Sequence, residues 1–189
     1  MALDYVKRIA TELPLISDVP SLRKRARAQI ENGAVTASYP EDKDRIVQLL
    51  NEALATELVC VLRYRRHYFV ARGIRAKTVA VEFMEHSVEE QGHADKLAER
   101  IVQLGADPDF NPAVLTERSH AEYHEGTRLV DMVRADLIAE RIAIESYREM
   151  IMYVGDRDPT TRRLLEDILA VEEQHADDLV DMLHDQTDD

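Results

Sequence analysis

Glu89-Glu90-Gln91-Gly92-His93-Ala94-Asp95 recurs near the end of the chain as Glu172-Glu173-Gln174-His175-Ala176-Asp177. Superposing His93 on His175 places Glu90 on Glu172, Ala94 on Ala176, Asp95 on Asp177 and Leu97 on Leu179. A glutamate three residues before a histidine therefore appears twice in matching surroundings. On an α-helix such residues lie one above the other on the same face, so each pair can aim a carboxylate and an imidazole at a common point. In a chain this rich in glutamate, chance alone supplies on the order of one such pair, and a third, Glu117 with His120, does occur. The other two are set apart by what precedes them. Glu57 stands before Glu90, and Glu140 before Glu172, at nearly the same interval. Each of these is followed seven residues later by a tyrosine, Tyr64 and Tyr147, across an apolar stretch. One helical hairpin is written twice.

Composition excludes several classes. The net charge of -13 gives nucleic acid no general attraction and favours cations. With 45% hydrophobic and 32% charged residues the chain reads as a globular domain, and its 6 Gly, 6 Pro and absence of Trp suit long helices. The single cysteine, Cys60, permits no internal disulfide, and no Cys-x-x-Cys offers a thiolate metal site. A reducing, cytoplasmic location is the expectation. No apolar run reaches membrane-spanning length, and the first residues lack a signal peptide's pattern.

Residues 1–40 read as an extension broken by Pro14, Pro20, Asn32-Gly33 and Pro40, with Ser21 as the cap of one short helix carrying Arg23, Lys24, Arg25 and Arg27. That basic helix is expected to lie on an outer surface rather than to bind DNA. Residues 41–189 read as a helical bundle. Ile46, Leu49, Leu50, Ala53, Leu54, Glu57, Leu58, Val61, Leu62 and Tyr64 keep a helical period, predicting a first long helix to about Arg72, stopped by Gly73. A second is expected from about Lys77 to Leu104, a third from about Thr127 to Val154, and a fourth from Pro159, a favoured first helical residue, to about His184. Short links make each pair antiparallel. The segment from Gly105 to Gly126 shows little periodicity and is long enough to run back along a bundle, so the third helix starts at the same end as the second.

From about Arg45 to Asp185 this pattern resembles the bacterioferritin and Dps-like branch of the ferritin-like proteins. Leu50-Asn51-Glu52-Ala53-Leu54-Ala55-Thr56-Glu57-Leu58 looks like the family's first ligand helix, Glu90-Gln91-Gly92-His93 the second, Leu137-Ile138-Ala139-Glu140 the third and Glu172-Glu173-Gln174-His175 the fourth. The resemblance implies an all-α four-helix bundle, two antiparallel hairpins joined by a long crossover. It implies six metal ligands, Glu57, Glu90, His93, Glu140, Glu172 and His175. Glu90 and Glu172 bridge two metals, Glu57 and His93 cap one, and Glu140 and His175 cap the other. Oxygen ligands with one imidazole each suit iron, and manganese also. The implied function is a ferroxidase that oxidises Fe(II) with O2 or H2O2 and stores ferric mineral in a homo-oligomeric shell. Two departures refine it. Where bacterioferritins carry a haem-ligating methionine this chain has Gln91, so no haem is expected there. The acidic ending Leu183-His184-Asp185-Gln186-Thr187-Asp188-Asp189 leaves little room for a fifth helix, which favours 12 subunits over 24.

Other readings stay open. The same ligands serve a di-manganese, catalase-like or peroxide-scavenging enzyme, and a non-catalytic helical scaffold would need none of them. Tyr64 is the catalytic candidate, as a hydrogen-bond donor to a ligand or an electron donor, although a tyrosine on an apolar stripe more often packs, and Tyr147 is read the same way. Glu85 and Glu89 are candidates for an inner, mineral-nucleating surface. His67, His86, His120, His124 and His184 are expected at the surface or the bundle edge.

Overall fold

The computed structural model describes residues 18–40, 42–74 and 76–187. The chain divides into two compact units, residues 1–39 and 40–189. In the first, helix α1 spans Val19–Arg27. Its cap is Asp18 and not Ser21: the Asp18 carboxylate accepts from Ser21 N at 3.0 Å, because Pro20 belongs in the first turn and the cap must precede it. Lys24, Arg25 and Arg27 occupy its last turn, where cations complement the helix dipole. The break expected at Pro14 lies outside the described residues.

The second unit is built from four long helices, α2 (Lys43–Val70), α3 (Ala76–Gln103), α5 (Leu129–Val154) and α6 (Pro159–Thr187), with a short α4 (Leu115–Arg118) in the crossover. No strand occurs among the described residues, and no helix there is long and apolar enough to cross a membrane. Helix α2 packs along α3 and α5 along α6, and the two hairpins meet through α2 with α5 and α3 with α6. The apolar stripes legible in the sequence form the core: Ile46, Leu50, Leu54, Phe83, Leu97, Ile101, Leu165, Ile168 and Leu179 are all buried. Each such side chain stabilises the fold by about 1.5–3 kcal/mol.

The helix ends follow local chemistry. Helix α2 stops at Val70, before the expected Arg72, because Arg72 turns its guanidinium back onto the carbonyls of Phe69 and Ala71, at 3.0 and 2.9 Å. At the other end Asp158 accepts from Thr161 N at 3.0 Å and takes both oxygens to Arg100 of α3, so the start of α6 is pinned to the end of α3. Gly155 closes α5 with φ of 53°, a conformation that a side chain resists.

The crossover is not structureless. A 3-10 turn at Pro112–Val114 leads into α4, whose Leu115 packs on Ala55 and Val59 of α2. Its backbone is tied to α2 in rising order: Asp109 N donates to Asn51 Oδ1, His120 N to Thr56 Oγ1, and Arg63 and His67 donate to the carbonyls of Glu122 and His124. The segment thus climbs the length of α2, which delivers α5 to the end where α3 began.

Two histidines expected at the surface are interior. His67 is fully buried, its Nδ1 2.7 Å from Asp136 Oδ2 and its Nε2 3.1 Å from His124 O. Arg63, also fully buried, donates through Nε to the other oxygen of Asp136 at 2.7 Å. His67 follows Tyr64 by three residues on the buried stripe of α2, and that periodicity is the signal that identifies it as interior. His86 is the second, and it belongs to the site. His120, His124 and His184 are partly or largely exposed.

Candidate metal centre

All six side chains singled out by the repeat converge in the middle of the bundle. Glu57 comes from α2, Glu90 and His93 from α3, Glu140 from α5, and Glu172 and His175 from α6, and every one is at most 3% exposed. Helical spacing stacks each glutamate beneath its histidine, and the antiparallel pairing of hairpins brings the four inward faces to one level.

Their atoms fall into two groups, Glu57, Glu90, His93 and Glu172 in one, Glu90, Glu140, Glu172 and His175 in the other. Within each, one donor atom per residue lies within 4.8 Å of all the others, and Glu90 and Glu172 belong to both. His93 Nδ1 stands 2.9 Å from Glu172, 3.2 Å from Glu90 and 3.4 Å from Glu57. His175 Nδ1 stands 3.5 Å from Glu90 and from Glu172, and 4.0 Å from Glu140. Glu117 and His120 belong to neither group.

Burying four carboxylates costs several kcal/mol each unless charge compensates them. Five carboxylate oxygens in the centre, from Glu57, Glu90, Glu140 and Glu172, lack a hydrogen-bond partner, as does His175 Nδ1. Burial opposes charge on His93 and His175, but the carboxylates around them win and push both imidazoles up to about 12. Burial, then Glu90, pushes the Glu57 carboxyl up to about 8, and burial, then Glu90 and Glu172, raises Glu140 well above the usual range. Burial, then a neighbouring carboxylate, works against ionised Glu90 and Glu172, yet the close approach of His93 and His175 holds both below the usual range. Near neutral pH these shifts favour protons on His93, His175 and Glu57. Two divalent cations would balance the four carboxylates. The donor set fits a pair of such cations, six oxygen-rich ligands with one imidazole for each.

The tyrosines bear on the ligands directly. Tyr64 OH donates to Glu140 Oε1 across the bundle, and Tyr147 OH donates to Glu57 Oε1, so each hairpin's tyrosine holds the other hairpin's glutamate. Packing is thus only part of their role. His86, 2% exposed, donates from Nδ1 to the Tyr64 oxygen at 3.2 Å and stacks on His175 with ring centroids 4.0 Å apart. Burial, then His175, lowers its imidazole to about 4, so it is neutral. Glu89, half-exposed, accepts from His175 Nε2 at 2.6 Å. Neither contact was read from the sequence; the visible signal is that Glu89 and His86 face Val171 and Ile168 when the repeats are superposed. Gln91 donates to Asp95 along its own helix at 2.9 Å. Cys60 is buried beside the Arg63 guanidinium, and burial raises its thiol well above the ordinary value, which makes it an unreactive core residue.

Fold and site together define a class, four-helix proteins with a buried cluster of histidines and carboxylates in the bundle core. Residues 47–187 match the ferritin-like domain family, and the chain belongs to that family. Among its relatives are a bacterioferritin of Rhodobacter capsulatus, 30% identical over 70% of this chain and 79% of that one, and a nutrient stress-induced DNA-binding protein of Synechococcus sp., 32% identical over 70% and 77%. The bacterioferritin-related protein of Bacteroides fragilis, described as a dodecameric thioferritin, superposes with a TM-score of 0.74 at 33% identity over 76% of this chain and 87% of its own. Dps from Thermosynechococcus elongatus shares the fold with a TM-score of 0.72 at 20% identity, covering 75% and 91%.

Proposed function

We propose that this protein is a ferroxidase that takes up Fe(II) as substrate, oxidises it at the six-residue centre and stores the ferric product in a homo-oligomeric shell of twelve chains. The observation that carries this reading is the pair of buried ligand groups sharing Glu90 and Glu172. Two cations held by common carboxylates sit close enough to deliver two electrons to one oxidant molecule. Glu57 with His93 and Glu140 with His175 cap the two positions, while Tyr147 and Tyr64 orient the capping glutamates.

Each Fe(II) gives up one electron. With O2, two electrons and two protons yield H2O2; with H2O2, two electrons and two protons yield two waters. Protons displaced from the centre by iron would be at hand for the two that either oxidant consumes. Ferric ion hydrolyses to mineral, for which half-exposed Glu89 and its neighbour Glu85 are candidate contacts. The dodecameric assembly described for the Bacteroides fragilis relative supports a twelve-chain shell here. The net charge of -13 supports a reading in which cations, rather than nucleic acid, are the partners.

The test is stoichiometric Fe(II) oxidation by the assembled protein, with molar mass measured in solution. About two Fe(II) per chain are expected to react fast before slower mineral growth, with Glu90→Ala and His175→Ala slowing that phase by more than about 100-fold, beyond the usual effect of outer partners. Steady peroxide breakdown by the manganese-loaded protein without iron uptake would select the peroxide-scavenging enzyme instead.

A further inference from the structure

The two halves of the centre are related by the sequence repeat, yet three residues break the symmetry on one side only. Around His175 stand Glu89, His86 and Asp178. With the repeats superposed, the matching positions around His93 hold Val171, Ile168 and Lys96, two apolar side chains and a cation. Glu89 accepts from His175 Nε2 at 2.6 Å, which leaves Nδ1 as the nitrogen that faces Glu90, Glu140 and Glu172. His86 stacks on the same imidazole and fixes its plane, and its Nε2 lies 3.9 Å from Asp178. Val171, in Glu89's place, has no acceptor to offer His93.

A carboxylate on the outer nitrogen of a ligating imidazole sets its tautomer, fixes its orientation and strengthens it as a donor, and such partners are worth about 10–100-fold in metal affinity. We propose that Glu89 is a positioning residue that makes the Glu140–His175 half the tighter of two cation positions, so that divalent metal fills this half first and the Glu57–His93 half second. The inference rests on the dinuclear reading above and adds an order of loading to it. Glu89 is half-exposed while His175 is buried, so this one carboxylate links the surface to the first-filled position.

Zn(II), which undergoes no redox change, tests the order by calorimetric titration of the full-length, metal-free protein. Two classes of site per chain separated by about tenfold or more are expected. His93→Ala should keep the tighter class and lose the weaker, and His175→Ala the reverse. Glu89→Ala should weaken the tighter class by about 10–100-fold and leave the weaker one in place, with Glu89→Gln, which still offers an acceptor oxygen, falling between. Co(II) absorption gives a second readout, because the first equivalent should report the His175 environment and change its spectrum in Glu89→Ala but not in Val171→Ala. Two equal classes in the wild type, a Glu89→Ala titration identical to wild type, or loss of the tighter class in His93→Ala would each overturn the proposal. Failure of the wild type to bind Zn(II) in the core at all would instead remove the dinuclear reading beneath it.

Discussion

Tyr147 on α5 donates its hydroxyl proton to Glu57 on α2, the capping glutamate of the opposite hairpin. Removing the hydroxyl leaves a buried carboxylate oxygen without its donor and frees the side chain to leave its ligating pose. Tyr147→Phe should weaken cation binding at the Glu57–His93 position by about tenfold, and Tyr64→Phe should do the same at the Glu140–His175 position. Direct titration of both variants with Zn(II) checks this. Unchanged affinities in both would reduce the tyrosines to packing residues.

Loading the centre should release protons. His93 and His175 each hold one up to about 12, Glu57 holds one up to about 8, and Glu140 is raised well above its ordinary value. Metal needs neutral imidazoles and ionised carboxylates, so two cations are expected to displace protons near pH 7, and apparent affinity should rise with pH. Titrations in buffers of different ionisation enthalpy count those protons. A count near zero would mean the metal binds elsewhere.

The same groups set how the metal-free protein responds to pH. A folded-state pKa raised above the unfolded value contributes stability that is complete below the unfolded value and lost as pH rises through the folded one. For Glu57 that window runs from 4.5 to about 8, and for His93 and His175 from 6.5 to about 12. The thermal midpoint of metal-free protein should therefore fall between pH 6.5 and about pH 8, the range the windows share. Metal-loaded protein should show a smaller decline, because the protons have already left. A metal-free midpoint that climbs over this range would contradict the assignment.

Asp136 joins α5 to Arg63 and His67 of α2, and all three side chains are fully buried. Asp136→Ala would strand a guanidinium in the core. It should cost about 3–5 kcal/mol of unfolding free energy, read from denaturant melts, and loosen the crossover whose carbonyls Arg63 and His67 hold. A loss below 1 kcal/mol would show that water compensates the stranded charge.

Gly126 precedes α5 with φ of 61°, and a Cβ added there would meet Met132 Cγ at 2.6 Å and its backbone Cα at 3.2 Å. Gly126→Ala should destabilise the protein by about 1–3 kcal/mol through overpacking and backbone strain. Thermal unfolding compares it with wild type, and an unshifted midpoint would show that the turn re-forms around the methyl group.

Much of this was legible in one dimension. The doubled Glu-x-x-His, with a glutamate and a tyrosine upstream of each copy, is a local record of which residues share a helix face, since the 3.6-residue period alone decides that. From it follow the four long helices, the two hairpins, the six converging side chains and the kinship of the chain. The crossover's length likewise told that it could return along the bundle. What spacing cannot encode is which atom meets which across helices. That His67 is held by Asp136, that Tyr64 serves Glu140 and Tyr147 serves Glu57, and that Glu89 meets His175 all depend on the rotation and depth of one helix against another. Those are set by packing the whole core at once, so only the folded chain decided them.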